Sequence, residues 1–195
     1  GEGAAVYLFN NGAGTVSLSA SNCIFNNNSS EEAGGAIFMD GGATATINLS
    51  KCKFYSNTSV TSFGSALALR DGISTITNCL FYENTVNAGL IGTLHFAIGG
   101  THTINHSTIA DNLTGDAGST GIAVVGGTVN VKNSIVYNNA NADIDRDGGT
   151  MNIYESNFGS FQGTLSDTTN NITSDPEFVS AATDDYHILG SSPAK

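Results

Sequence analysis

Glu83 and Asp111 stand 28 residues apart in matching surroundings, Tyr82-Glu83-Asn84 and Ala110-Asp111-Asn112. Two carboxylates about 5 Å apart are the working pair of a retaining glycosidase, one as nucleophile and the other as acid and base. Arg70, on a neighbouring segment, is the cation nearest in sequence to such a pair. A second acidic group, Asp143, Asp145 and Asp147 in "NADIDRDGG", alternates before Gly148 as the start of a calcium loop does. An EF-hand needs a carboxylate at the twelfth position, which here is Tyr154, with Glu155 one place late. The other reading of this loop turns Ile144 inward as a strand residue and leaves the aspartates as solvent-facing charges. Tyr55, Tyr82 and Tyr137 share one sequence context, and a row of exposed phenol rings would offer sugar rings a stacking platform.

Sulfur and imidazole are the other chemically capable groups. Cys23, Cys52 and Cys79 recur at 29 and 27 residues with no Cys-x-x-Cys spacing and no adjacent histidine to suggest zinc. His102 and His106 lie in one strand-like stretch, where four residues span about 13 Å, too far for one metal ion. These two, with His95 and His187, are expected at the surface, and no cofactor is expected apart from calcium at the aspartate loop.

These residues are placed by a repeat. Cys23-Ile-Phe25-Asn-Asn-Asn28 returns as Cys52-Lys-Phe54-Tyr-Ser-Asn57, Cys79-Leu-Phe81-Tyr-Glu-Asn84, Ser107-Thr-Ile109-Ala-Asp-Asn112 and Ser134-Ile-Val136-Tyr-Asn-Asn139. The anchor steps by 29, 27, 28 and 27 residues. Before each anchor runs an alternating apolar and polar segment, such as "TATINLSK" or "THTINH", the period of a strand with one buried face. Before that lies a third segment, "AAVYLF", "GAIFMD", "GSALAL", "GTLHFA" and "GIAVVG", apolar on both faces. Three short strands per turn of about 28 residues leave no room for crossover helices and too few strands for a propeller blade. The pattern predicts an all-β, right-handed parallel β-helix of about six to seven turns over residues 1–173, with 174–195 closing the same domain.

In such a solenoid like residues stack at about 4.8 Å. Phe25, Phe54, Phe81, Ile109 and Val136 become an inward column, and Asn28, Asn57, Asn84, Asn112 and Asn139 a ladder at a turn. The cysteines become a buried thiol column, since a rung rise exceeds the Cβ separation of about 3.8 Å that a disulfide needs. The outer face of the second strand gathers Ser17, Thr46, Thr75, Thr101, Thr103 and Thr128, a diluted version of the threonine array of an ice-binding solenoid, interrupted by Ile73.

Gly-Gly-Ala-Ile at 34–37 and the FxxN repeats at Phe25, Phe54 and Phe81 resemble the repeats of polymorphic outer-membrane proteins. "SDPEFVSAATDDYHILGSSPA", with the preceding "NADI" and "YESNFGSF", is similar to the closing segment of bacterial β-helix proteins of the choice-of-anchor type. The resemblance implies an extracellular or bacterial cell-surface module, adhesin-like, with no catalytic residues to carry over. Copies four and five depart from it by replacing Phe with Ile109 and Val136.

A net charge of −11, from 17 acidic and 6 basic residues, argues against nucleic acid as a partner and against acidic polysaccharides as substrates. No apolar run reaches membrane-spanning length. The expected function is non-catalytic contact with a glycan or protein; a β-helix carbohydrate-active enzyme is the alternative and ice binding the third reading. The apolar first segments require cover from a loop, a neighbouring domain or another copy. The stretches after each ladder asparagine, "SSEEA", "TSVTSF", "TVNAGLI" and "LTGDAGST", are candidates for that cover.

Overall fold

A computed structural model describes residues 1–10, 14–87, 92–114 and 120–195. The chain winds as a parallel β-solenoid in which every turn adds one strand to each of three sheets. The first sheet holds seven strands, from Val6–Phe9 and Ile37–Asp40 to Phe161–Gly163, and the second holds seven, from Ser17–Ser21 to Asp167–Thr169. The third holds six, from Ile24–Asn26 to Asn157–Phe158. A fourth strand of two residues, absent from the sequence expectation, follows the ladder asparagine in four turns: Ser29–Ser30, Thr58–Ser59, Thr85–Val86 and Leu113–Thr114. No helix among the described residues is long and apolar enough to cross a membrane.

The predicted register is the observed one. Phe25, Phe54, Phe81, Ile109 and Val136 pair in succession, and Phe158 extends the column by a turn. The phenyl rings lie nearly parallel, Phe25 on Phe54 at 4.6 Å and 4°, Phe54 on Phe81 at 4.7 Å and 13°. Ring overlap at the rung spacing maximises dispersion contact where no water competes. Ile47, Leu49, Ile76, Ile104, Val129 and Ile153 from the second sheet and Ile37, Leu67, Leu94, Ile122 and Ile144 from the first complete one core.

The corners follow a common physical rule. Between the first and second sheets, glycines at 42, 72, 100, 127 and 149 all take left-handed φ. At Gly100 a Cβ would lie 1.8 Å from the Gly72 carbonyl oxygen, so rungs can stack there only without a side chain. At the next corner Asn22, Lys51, Asn78, His106, Asn133, Glu155 and Asn170 adopt φ of 47° to 55°, and at the third corner Asn27, Ser56, Glu83, Asp111 and Asn138 adopt 51° to 57°. In both cases the left-handed residue reverses the chain and the next residue, inward-facing, ties one turn to its neighbour.

After the third corner that tie is the asparagine ladder. Asn28, Asn57, Asn84 and Asn112 donate through Nδ2 to Oδ1 of the following rung at 2.8, 2.8, 2.9 and 2.8 Å. The backbone N–H of each donates to the same oxygen at 3.1 to 3.3 Å. Asn57, Asn84, Asn112 and Asn139 also donate to a carbonyl of the preceding turn at 2.9 or 3.0 Å. Buried amides are thereby fully occupied, which is what burial of such a polar group demands.

After the second corner the tie is the cysteine column, and here the expectation of a simple filler is enlarged. Each Sγ donates to the carbonyl two residues back, Cys23 to Ser21, Cys52 to Ser50 and Cys79 to Thr77, all at 3.4 Å. Ser107, Ser134 and Ser156 repeat the bond through Oγ at 3.0, 2.6 and 2.7 Å and accept the N–H of Cys79, Ser107 and Ser134. Ser156 is a sixth member that the sequence register missed, because the turn before it is only 22 residues long. The cysteines are free thiols, and burial pushes Cys79 up to about 11, so it stays protonated and unreactive.

Residues 174–195 leave the solenoid. Phe178–Ser180 and Asp185–Ile188 form an antiparallel pair around a single 3-10 turn, Ala181–Thr183. Tyr186 lays its ring against Tyr82 at 5.2 Å and edge-on to Phe178 at 5.2 Å and 79°. Ala110, small and wholly buried, makes the space it occupies.

Phe81→Ala is expected to remove a fully buried ring from the column and to lower stability by about 3 kcal/mol, measured by urea unfolding. A midpoint equal to wild type would mean that the ring does not sit in the core.

Candidate functional site

Glu83 and Asp111 are the left-handed third-corner residues of adjacent turns, joined by the Glu83 N–H donating to the Asp111 carbonyl at 3.2 Å. Their side chains leave the corner because the next residue must point inward as a ladder rung. The Asp111 carboxylate accepts from Asn138 Nδ2 and lies close enough to Tyr186 to act on its hydroxyl. Burial, then the Asp111 charge, hold the Tyr186 hydroxyl far above its ordinary range, so it remains a donor at all ordinary pH. Asp111 is thus tied to the next turn through Asn138 and lies beside the closing hairpin. Arg70 does not join the pair: its Nη1 bridges Asp40 Oδ2 at 3.0 Å at the end of the first sheet. The three proposed catalytic groups are not assembled into one site.

Tyr55 and Tyr82 stack at 5.0 Å and 16°, as a platform would require. Tyr186 covers that stack, leaving Tyr82 only 5% exposed, and burial pushes its hydroxyl up to about 12. Tyr137, half-buried, is set apart from them by Ala110 in the register. The closing segment therefore takes most of the surface that the tyrosines would have offered a sugar.

The aspartate loop is divided in the same way. Asp143 is buried and ends the asparagine ladder: its Oδ1 accepts Asn139 N and Nδ2, both at 2.9 Å, and its Oδ2 accepts Ser160 N at 2.7 Å and Oγ at 3.2 Å. A carboxylate, which has only acceptors, is a chemically fitting stop for a ladder whose every rung passes on donors. Ile144 points into the core, and Asp145 faces outward, its carboxyl raised by burial and by Asp147. Arg146 of the same loop donates to the Gly149 and Thr164 carbonyls. Among the described residues no group of three or more His, Cys, Asp or Glu side chains is placed to hold a metal ion.

Two histidines are not where the sequence reading put them. His102 is wholly buried, with Nδ1 accepting from Ser74 Oγ at 3.0 Å and Nε2 donating to the Gly99 carbonyl at 3.1 Å. The alternation in "THTIN", with Thr101 and Thr103 outward, was the overlooked signal. His95 lies on the outer face of the first sheet between Ala68 and Ala123, its ring 4.3 Å from that of Phe63. Burial pushes the His95 imidazole down to about 4 and lowers that of His102. His106 is exposed at its corner as expected.

Cover for the first sheet comes from within the chain. Ala33 of "SSEEA" and Phe63 of "TSVTSF" pack on Phe38 and Ala68. The remaining two candidate stretches, "TVNAGLI" and "LTGDAGST", fall mainly outside the described residues. The outer face of the second sheet stays open and polar, with Ser17, Ser19, Asn48, Thr75 and Thr101 exposed along it. The closing segment also walls a groove of about 600 Å³ against the second corner, which no sequence signal announced because its two sides are far apart in the chain.

Comparison with protein-family models, with curated proteins and with solved structures finds no match to this chain.

Two measurements test these assignments. Asp143→Ala leaves the Asn139 amide and the Ser160 N–H without acceptors and is expected to cost about 1 to 3 kcal/mol per orphaned group in thermal unfolding. Serine at this position, too short to span both donors, is expected to recover little. For His95, the folded pKa lies below the unfolded value, so the unfolded chain binds the extra proton. Stability is then intact above about pH 6.5 and falls on the order of 3 kcal/mol as pH drops towards 4. Unfolding free energies measured across that window should lose most of this slope in His95→Phe; an unchanged slope would remove His95 as its source.

Proposed function

We propose that this chain is a non-catalytic β-helix module that displays its strand faces and loops to a glycan or protein outside the cell, at the bacterial surface, in the adhesin-like manner of the proteins its repeats resemble. One observation carries the reading. The acidic and aromatic side chains that would have performed chemistry, Asp111, Asp143 and Tyr82, serve the scaffold, while the seven-stranded outer face of the second sheet stands open and polar. A solenoid whose corners are tied at every turn is rigid, so side chains on its faces keep fixed spacing and lose little entropy on contact. The face suits hydrogen-bonding ligands, since it is built from hydroxyl and amide groups. Ile73, Lys132 and Tyr154 break it up, which disfavours the regular array that ordering of ice requires. Surplus negative charge directs the module towards neutral or basic partners.

The reading is tested by incubating folded protein with a panel of neutral and acidic polysaccharides and measuring both retention and new reducing or unsaturated chain ends. Retention of a neutral polymer with no new ends is expected. New ends that appear with wild type and vanish in Asp111→Asn would replace the module with an enzyme.

A further inference from the structure

The groove at the second corner has the volume of a small-ligand site, with a lining that is mostly polar. Its floor is the outward column Thr108, Ile135 and Asn157, in register on successive strands of the third sheet. One wall is the corner ridge, where left-handed φ at His106, Asn133, Glu155 and Asn170 turns a polar side chain out at every rung. The other wall is Pro193 to Lys195, fixed by Ser192 Oγ donating to the Pro176 carbonyl at 2.6 Å and accepting Ala194 N–H at 3.0 Å. Asn157 joins floor to wall through Nδ2 and the Ser174 carbonyl at 2.9 Å. Its Oδ1 is buried and has no hydrogen-bond partner among the described residues. A buried amide oxygen without a donor is costly, and a donor brought by a ligand would offset that cost.

The lining selects the ligand's chemistry. One rim carries amides and a carboxylate at rung spacing, while Ile135, Ile172 and Pro193 supply an apolar strip beside them. Glu155 opposes the Lys195 ammonium, so the groove gathers no net positive charge for a phosphate or a uronate, and the field of the whole chain repels both. A ring with hydroxyls around its edge and C–H groups on its face matches such a mixed lining.

We propose that this groove binds a neutral saccharide of one or two rings, with Asn133, Glu155 and Asn157 contacting hydroxyls and Ile135 packing under the ring. The proposal rests on the display reading for its ligand class and adds the place and the substrate chemistry.

The test uses the whole chain titrated with glucose, galactose, mannose, N-acetylglucosamine, maltose and lactose, followed by amide chemical shifts. At least one sugar is expected to move, saturably, the amides around Thr108, Ile135 and Asn157. Thr108→Tyr, a strand-compatible change that fills the floor, should weaken that sugar about tenfold or more. Lys53→Tyr, in the same outward column two rungs away, should bind as wild type, and equal melting curves for both variants show that they fold. Absence of shifts at the groove with every sugar, or unchanged affinity in Thr108→Tyr, overturns the proposal. A neutral polysaccharide retained equally by wild type and Thr108→Tyr would also overturn it, while leaving the display module standing with its contact elsewhere.

Discussion

The structure depends on one constraint: each turn must return to the same place one rung higher, with its inward polar groups meeting partners on the adjacent turn. Parallel strands at rung spacing satisfy their own backbones, but the corners do not, because there the ladder of strand hydrogen bonds is interrupted. Asn28 to Asn139 resolve this at the third corner by passing two donors to each following rung. At the second, Cys23 to Ser156 each donate to a carbonyl two residues back in their own turn, and Ser107, Ser134 and Ser156 accept the N–H of the rung before. The column changes from thiol to hydroxyl at Ser107 with the geometry preserved, so hydrogen bonding, and not sulfur chemistry, is what the position requires.

A ladder has polarity and therefore needs an end. Asp143 provides it, and Ser160 satisfies the carboxylate's second oxygen. Past that point the turns shorten, and the closing hairpin takes over the outer face of the third sheet. Tyr186 covers Tyr82, lies near Asp111 and fills the space above Ala110. One hairpin so absorbs two features, the carboxylate and the tyrosine stack, that taken singly look like a carbohydrate-processing site. Among the described residues the second-sheet face stays open and polar, and the closing segment walls the groove at the second corner.

The buried histidines show how far local pattern reading reaches. His102 occupies an inward position that its alternation with Thr101 and Thr103 does encode, yet a lone imidazole in an apolar column is readable only once Ser74 is known to sit on the adjacent rung at 3.0 Å. His95 was beyond reach, because strands apolar on both faces carry no signal for which side is covered. Phe63, which covers it, belongs to an irregular loop of the preceding turn.

By itself, the sequence determined the solenoid, its period, the phenylalanine column and the asparagine ladder. Strand alternation and a repeat length are properties of neighbouring residues, and stacking like on like follows from them without further information. Tertiary structure alone decided what each polar side chain does: that Asp143 caps the ladder, that Arg70 pairs with Asp40, and that Tyr82 lies under Tyr186. Arg70 and Asp40 sit one turn apart where the first-sheet register ends, Asp143 meets Asn139 only because its turn departs from the repeat, and only the folded path of the closing segment brings Tyr186 to Tyr82.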